Sequence, residues 1–510
     1  MNKTIRTLIL ALTLFASSAL GAAKLEIEPY DVSLFKGLDK VTSTCATSSP
    51  SFLCEHEQNG LTLIRTKGGD YMYTEAGEVA ANFSKMQRGS VSGDFKIDAN
   101  TNLVPYNAPY PAGAVLIDGE YYTPTNVTST WEEDEAGDID LLIGTFAYDA
   151  GDYHVTRTIT MSATRDTAHH AITVVAGASG NEDAQVQFAL PGIAQEQRPT
   201  TKIGYGDTFV LDPPEQDFEK FTYAALQRNN KNSGEAFILV PVDGAKPLTA
   251  TWVRPTGVAV GTSLAAGETA FEVNLYAGRN ELVRYIQEGY IDFPGLFKPN
   301  IIGQLSKGVV AVLQLIHDYV PSWGLSIIVL TLLFRALVWP LITTQTKSMY
   351  GMQALNPKLK ELQRKYKDNR EKLQEEQIKL YKEAGVNPAG GCLPMLLQMP
   401  LFIILWRVFV NFEFNEGFLW LPDLGMADPF YILPVLYVGV MTLTAYFTAR
   451  GNPQQMRQSM IINLVFVVII ISFPAGVLVY YVTSMLVQVL QYAMLAKHRP
   501  ATPAVAAKTK

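Results

Sequence analysis

The polar and apolar positions of this chain follow two different periods, and the change falls near residue 300. Ahead of it, stretches such as "DYHVTRTITMSAT" (152–164) and "HHAITVVAGAS" (169–179) alternate apolar with polar residues and are rich in β-branched side chains. Gly, Asn, Asp and Pro interrupt such runs at short intervals, the punctuation of strands joined by turns. No long helical period occurs before residue 300, so residues 24–300 are predicted to form a large antiparallel β-sandwich rather than a βαβ array. Beyond it, the stretch 304–320, "QLSKGVVAVLQLIHDYV", places apolar residues at 305, 309, 312, 313, 316 and 320, with Lys307, Gln314 and Asp318 on the opposite side. That is an amphipathic helix suited to a membrane surface or to packing on the sandwich, and it fills a 301–322 segment.

Five apolar blocks then follow, at 323–342 and approximately 394–412, 430–448, 459–473 and 476–496. The first has the length of a bilayer-spanning helix. The 459–473 block would rise only about 22 Å as a helix, short of a hydrocarbon core of ~30 Å, and short spans thin the bilayer locally. Trp323, Trp339, Trp406 and Trp420 stand near block ends, where interfacial aromatics belong. Pro474 and Gly476 make the tight turn between the last two blocks. Between the first two, residues 343–391 read as a helical hairpin: Asn356 caps a helix with Pro357 at its first position, "KDNR" breaks the run, and a second helix continues to Gly385.

Charge sharpens the division. The whole chain of 510 residues is at −7, but residues 24–300 hold 20 Lys/Arg against 37 Asp/Glu, and residues 301–510 hold 19 against 11. The first 23 residues supply a route to a second compartment: Lys3 and Arg6, an apolar run from Thr7 to Leu20, then small residues in "SALGAAK". This is the layout of a secretory signal, and the run is also long enough to stay as an uncleaved anchor. The loop 343–391 carries ten Lys/Arg, whereas 411–430 carries none and four acids. The positive-inside rule therefore puts the hairpin and the 498–510 tail in the cytoplasm, with the 24–300 domain outside.

One residue breaks the apolar pattern. Arg335 lies inside "LTLLFRALVWPL" (330–341), where an arginine costs roughly 2.5–3.5 kcal/mol on insertion scales. Thr331 is one turn earlier on the same face. Tyr481, Ser484, Gln488 and Gln491 share one face of the last block, and Tyr437, Met441, Thr444 and Thr448 share one face of the third. Three polar stripes brought together would line a wet cavity, the setting that tolerates such a charge. The blocks contain no acidic residue away from their ends, so the cavity is expected to be electropositive.

Other chemistry is sparse. His154, His169 and His170 lack metal-ligand spacing or an evident carboxylate partner and read as strand-surface histidines. The acidic run "WEEDEAGDID" (131–140) does not match a calcium-loop spacing and reads as a solvated loop. Cys45 and Cys54 are close enough to close a short disulfide loop in an oxidising compartment, or are two free thiols; Cys392 has no partner in sequence. No phosphate loop, zinc motif or nucleophile elbow occurs. No enzyme activity, cofactor, metal or nucleic-acid specificity is therefore expected.

The runs "VNPAGGCLPMLLQMPLF" (386–402), "DPFYILP" (428–434) and "FPAGVLVYYVTS" (473–484), with "WGLSIIVLTLLFRALVWPL" (323–341), resemble the YidC/Oxa/Alb membrane-protein insertases over about residues 300–497. An exported β domain ahead of the first block resembles the Gram-negative branch. The resemblance implies a membrane α-helical bundle, a five-helix insertase core over 323–497, together with a β-supersandwich. It implies nascent membrane proteins as substrates, taken alone or with the Sec translocon, and a charged hairpin that meets the ribosome or targeting machinery. Positions matching the family's substrate contacts are Thr331, Arg335, Phe402, Tyr437, Tyr480 and Tyr481, with Thr444, Ser484 and Gln488 as further polar lining. Met485 and Arg407 depart from the pattern. The rival reading from the residues is a small-solute or anion transporter using Arg335 as its binding charge, and it predicts inverted repeats that the spans do not display. A sugar-binding envelope protein is a third reading, and it leaves the arginine unexplained.

Overall fold

The computed structural model describes the backbone of residues 26–32, 41–47, 51–56, 60–66, 69–73 and 79–81, and most of residues 113–496; the larger gaps are 191–199, 229–234, 385–392, 450–455 and 462–469. The chain divides into two units, residues 22–301 and residues 1–21 with 302–510.

The first unit is antiparallel β throughout its described strands. A nine-stranded sheet runs from the edge strand Thr208–Leu211 through Glu268–Arg279, Thr167–Ala176 and Tyr153–Ser162 to the other edge, Thr125–Ala136. A six-stranded sheet is built around Gly257–Ser263 and Gln185–Leu190. The alternation read from sequence becomes alternating burial: Val155, Ile159 and Met161 point inward along Tyr153–Ser162, and Ile172 and Val174 along its neighbour. They pack with Phe188, Phe237, Trp252 and Phe271 in one core. Each fully buried side chain of this kind contributes roughly 1.5–3 kcal/mol relative to exposure. The other face of the large sheet holds Tyr223 and Tyr276 under helix α1 (Leu282–Glu288) with Tyr285, Tyr290 and Leu296. A third sheet, residues 26–81, is a six-stranded meander in sequence order. In it Cys45 stands opposite Cys54 on adjacent antiparallel strands.

Two expectations change here. The acidic run is not a loop: Trp131–Ala136 belongs to the edge strand Thr125–Ala136, where Glu132, Glu133 and Asp134 are exposed. Charges on an edge strand discourage pairing with another chain. Nor are the three histidines alike. His154 pairs with Asp149 at 2.9 Å, and His169 bonds Asn274 at 3.1 Å with Glu272 3.7 Å away. His170 is fully buried against the Phe188 ring, with neither ring nitrogen hydrogen-bonded. Burial, helped by the charge of Arg157 and by His169, holds its imidazole well below the usual value. Sequence spacing missed the Asp149 and Glu272 partners because both arrive across strand pairs.

The second unit is helical. Helix α2 (Ile301–Tyr319) buries Gly303, Ser306, Val310, Leu313 and Ile316 and exposes Ile301, Leu305, Val312, Leu315 and Tyr319. Of the apolar stripe expected at 305, 309, 312, 313, 316 and 320, Leu313 and Ile316 are buried, whereas Leu305 and Val312 are exposed, so the buried line is rotated toward Gly303, Ser306 and Val310. Helix α3 (Trp323–Ala354) runs 32 residues, well past the apolar block, into a hairpin of α4 (Asn356–Lys365) and α5 (Arg370–Glu383). Asn356 is not the α4 cap as expected; Leu355 occupies that place, and the side chain of Asn369 caps α5 by accepting from Lys372 N at 3.0 Å. Helices α6 (Leu393–Asn411), α7 (Ile432–Ala449) and α8 (Ala475–Ala496) follow among the described residues, with α8 packed on both α3 and α7. By length and apolarity α3 and α8 are long enough to cross a membrane, and the apolar parts of α6 and α7 are shorter. The 1–23 leader, the 498–510 tail, Cys392 and most of the 459–473 block lie outside the described residues.

Candidate functional site

Helix α3 has two faces of opposite character. Leu332, Leu333 and Leu337 are exposed, Leu337 at 76%. The other face buries Ile327, Thr331, Arg335, Ile342, Gln345, Thr346 and Tyr350. Apolar out and polar in is the arrangement of a helix that faces lipid on one side and a protein interior on the other. Thr331 and Thr346 each satisfy their hydroxyl one turn back, on Ile327 O at 2.6 Å and Ile342 O at 2.8 Å.

Arg335 is 6% exposed. Its Nε donates to Ser484 Oγ of α8 at 2.6 Å, and among the described residues no carboxylate lies within ion-pair distance. A guanidinium has five donors, so one neutral hydroxyl leaves most of its capacity open.

Around the charge stands an aromatic chain contributed by three helices. Tyr437 of α7 meets Tyr481 of α8 edge-on at 6.3 Å between centroids, and Tyr481 meets Phe402 of α6 at 5.7 Å and Tyr480 at 5.2 Å. Phe402 continues to Trp406 and Trp406 to Phe473. Of the residues singled out from sequence, the structure thus joins Arg335 to Ser484 and joins Phe402, Tyr437, Tyr480 and Tyr481. Thr444 turns to its own helix, donating to Val440 O at 2.9 Å, and Gln488 donates to Tyr492 Oη at 2.8 Å.

The α3–α8 seam beyond Arg335 joins Gln491, already on the polar stripe of the last block, to residues that sequence reasoning passed over, Thr343, Tyr350 and Tyr492. Gln491 Nε2 donates to Thr343 Oγ1 at 2.8 Å and Trp339 O at 3.2 Å, and Tyr350 Oη donates to Tyr492 O at 2.9 Å. Ending the span at Ile342 assigned Gln345, Thr346 and Tyr350 to the hairpin; a period of 3.6 carried on from Arg335 would have kept Ile342, Thr346 and Tyr350 on its face.

The opposite end of the bundle is closed by packing. A Cβ on Gly324 would collide with the Phe418 ring, so the loop after α6 lies directly on the start of α3. Trp323 stacks on His317 at 3.7 Å and meets Phe412 edge-on at 4.8 Å. Burial lowers the His317 imidazole, and the neighbouring Asp318 charge opposes it. Asp428 is 1% exposed and accepts from Leu433 N at 2.6 Å, Phe430 N at 3.0 Å and Trp420 Nε1 at 3.2 Å, capping α7. Gly476 N donates to Leu424 O at 2.7 Å, and Ala427 bridges Pro474, tying that loop to α8. No cluster of three or more His, Cys, Asp or Glu that could hold a metal occurs among the described residues.

Comparison with known proteins agrees with the arrangement. The family described as 60Kd inner membrane protein matches residues 315–502. A membrane protein insertase YidC of Deinococcus radiodurans is 36% identical over 325 residues, 62% of this chain and 75% of the relative. Those of Actinobacillus succinogenes and Helicobacter pylori are 39% and 38% identical, over 36% and 37% of their own lengths. In fold, the chain is similar to an active YidC insertase crystal structure with its first transmembrane domain resolved, covering 95% of this chain and 97% of that one at TM-score 0.53 and 19% identity. These relatives do not favour the transporter reading. The β unit, the helical bundle with its buried arginine and the length of the Deinococcus match lead to one assignment: the chain belongs to the YidC family of membrane protein insertases.

Proposed function

We propose that the face of α3 bearing Arg335, with Ser484, Tyr437, Tyr480, Tyr481, Phe402 and Thr331, forms a hydrophilic groove that receives the polar segment of a nascent membrane protein. The observation that carries this is a buried guanidinium whose described partner is one neutral hydroxyl. Alone in an apolar surrounding such a charge is unfavourable by several kcal/mol. An acidic or strongly polar segment offsets that cost while it resides there. At an effective dielectric of ~20, a carboxylate at ~4 Å gains about 4 kcal/mol. The apolar flank of the substrate then leaves along the exposed leucines of α3 into lipid, and hydrophobic transfer supplies the free energy without nucleotide or covalent chemistry. The tyrosines offer hydroxyls to the polar part and rings to the apolar part, so one wall serves both. Thr444 and Gln488, bonded within their own helices, extend the polar lining only when the groove is hydrated.

In this reading residues 24–300 form a periplasmic domain, 301–322 an interfacial helix, and 323–497 a multi-pass core with the 343–391 hairpin and the C-terminus in the cytoplasm. The asymmetry of Lys and Arg between loops supports that orientation. The exposed charges of α4 and α5 suit contact with a ribosome or targeting factor, and the core works alone or beside the Sec translocon. Backbone register supports a Cys45–Cys54 disulfide in the oxidising compartment.

The test is reconstitution into liposomes with a single-span substrate, scoring protease protection of its translocated tail. Arg335→Ala should reduce insertion of an acidic-tailed substrate about tenfold or more, since tenfold needs only about 1.4 kcal/mol, and should spare a neutral-tailed one. Equal loss on both would make Arg335 structural and end the proposal.

A further inference from the structure

Among the described side chains of α3, five polar ones are buried: Ser326, Thr331, Arg335, Gln345 and Thr346. Four have partners, namely Val320 O, Ile327 O, Ser484 Oγ and Ile342 O respectively. Gln345 has none. It is 5% exposed, and both its Oε1 and its Nε2 are enclosed without a hydrogen-bond partner. A buried amide with both ends unpaired is among the less favourable things a fold can hold, and a leucine of similar size would remove the penalty.

Its place along the helix is informative. Thr343 is tied to Gln491 of α8, and Tyr350 is tied to the Tyr492 carbonyl. Gln345 lies between these two clamps on α3, on the side of the bundle bearing the hairpin. Five residues earlier, Pro340 deprives the Ala336 carbonyl of its helical N–H donor, so one rung of the α3 hydrogen-bond ladder is missing ahead of the seam. For a ligand to reach the amide, the seam between these two clamps has to part.

We infer that Gln345 is a second polypeptide-binding residue, placed about 15 Å along α3 from Arg335 at 1.5 Å per residue, and that its ligand is the main chain of the entering segment. A carboxamide offers a donor and an acceptor side by side, and a peptide group offers the reciprocal pair. A cation or a carboxylate would satisfy only half of it. Where Arg335 selects charge, Gln345 holds any backbone that has not yet formed its own hydrogen bonds, which is the state of a chain before it becomes a transmembrane helix. This rests on the groove reading and adds to it a contact indifferent to side-chain charge.

The experiment compares Gln345→Leu, Gln345→Asn and Arg335→Ala in the same liposomes, with acidic-tailed and neutral-tailed substrates, alongside melting of each purified protein. Gln345→Leu should melt a few degrees higher than the parent, because an unpaired amide is gone, yet lose about fivefold in insertion of both substrates, the worth of about one hydrogen bond. Gln345→Asn should restore part of the loss. Unchanged insertion, the result if only a bound water or nothing occupies the amide, overturns the inference. So does a loss accompanied by a lower melting temperature, which would make Gln345 a structural residue, or a loss confined to acidic tails, which would make it an accessory to Arg335. If Arg335→Ala instead fails to distinguish the two tails, the groove reading is what falls.

Discussion

Asp428 gives the account its most calculable perturbation. Its carboxylate accepts three hydrogen bonds, one from the backbone N–H of Leu433 in the first turn of α7 and one from that of Phe430 just ahead of it, and it is almost completely enclosed. In Asp428→Ala the N–H groups of Phe430 and Leu433 and the indole of Trp420 all lose their acceptor. Each unsatisfied buried donor costs about 1–3 kcal/mol, and relief from holding a carboxylate out of water returns part of it. A net loss of about 3 kcal/mol follows, in line with the upper range for helix caps combined with a lost charge at a helix N-terminus. For a unit of some 200 residues that corresponds to a melting point lower by about 6–12 °C. Asp428→Asn keeps one oxygen, which can still accept from Phe430 N and Trp420, but turns an amide nitrogen toward Leu433 N, donor against donor. It should cost about half as much. Because the cap fixes the first turn of α7, and Tyr437 meets Tyr481 from the second, insertion should fall in the same order, parent above Asn above Ala. Thermal unfolding in detergent, followed by tryptophan fluorescence, measures the first effect. An Ala variant melting with the parent refutes the cap; an Asn variant as unstable as Ala would mean that charge, not acceptor count, holds α7.

Two further outcomes follow from named contacts. His170 is neutral in the fold and has a depressed value there, so the unfolded chain binds the extra proton below about pH 6.5; stability of the β unit should fall as pH drops through that range, by up to about 1.4 kcal/mol per unit, and His170→Leu should flatten the dependence in hydrogen-exchange measurements on strands Tyr153–Ser162 and Thr167–Ala176 of the full chain. Arg335→Lys keeps the charge but loses the planar Nε donor to Ser484, so acidic-tailed insertion should lie between that of the parent and that of Arg335→Ala.

The elements most legible in the sequence were those whose side chains obey one period. Val155, Ile159 and Met161 announce a half-buried strand, and Arg335 announces itself because nothing else charged shares its block. The pairing of Arg335 with Ser484 was foreshadowed by polar stripes on two helices, since stripes tend to face each other. What stayed hidden depended on partners far away in the chain. His170 looks like His169 in sequence, and only the arrival of Phe188 from the facing sheet makes it a core residue. The acidic run read as a loop because charge outweighed strand propensity, whereas on an exposed edge the two coexist. Gln345 was lost when the span was ended at the last apolar residue, although α3 continues to Ala354. The α2 stripe is right at Leu313 and Ile316 and wrong at Leu305 and Val312, because the exposed residues of this helix are as apolar as its buried ones and periodicity alone does not tell them apart.

The most direct test of the groove places photo-activated cross-linkers, one at a time, at Tyr481 and Leu337, and captures a stalled single-span substrate. Tyr481 stands in the aromatic wall beside the arginine, and Leu337 is the most exposed of the described apolar side chains of α3. The account expects the polar segment of the substrate to be captured from Tyr481 and its apolar segment from Leu337. Capture of the polar segment at Leu337, with no adduct at Tyr481, would contradict it.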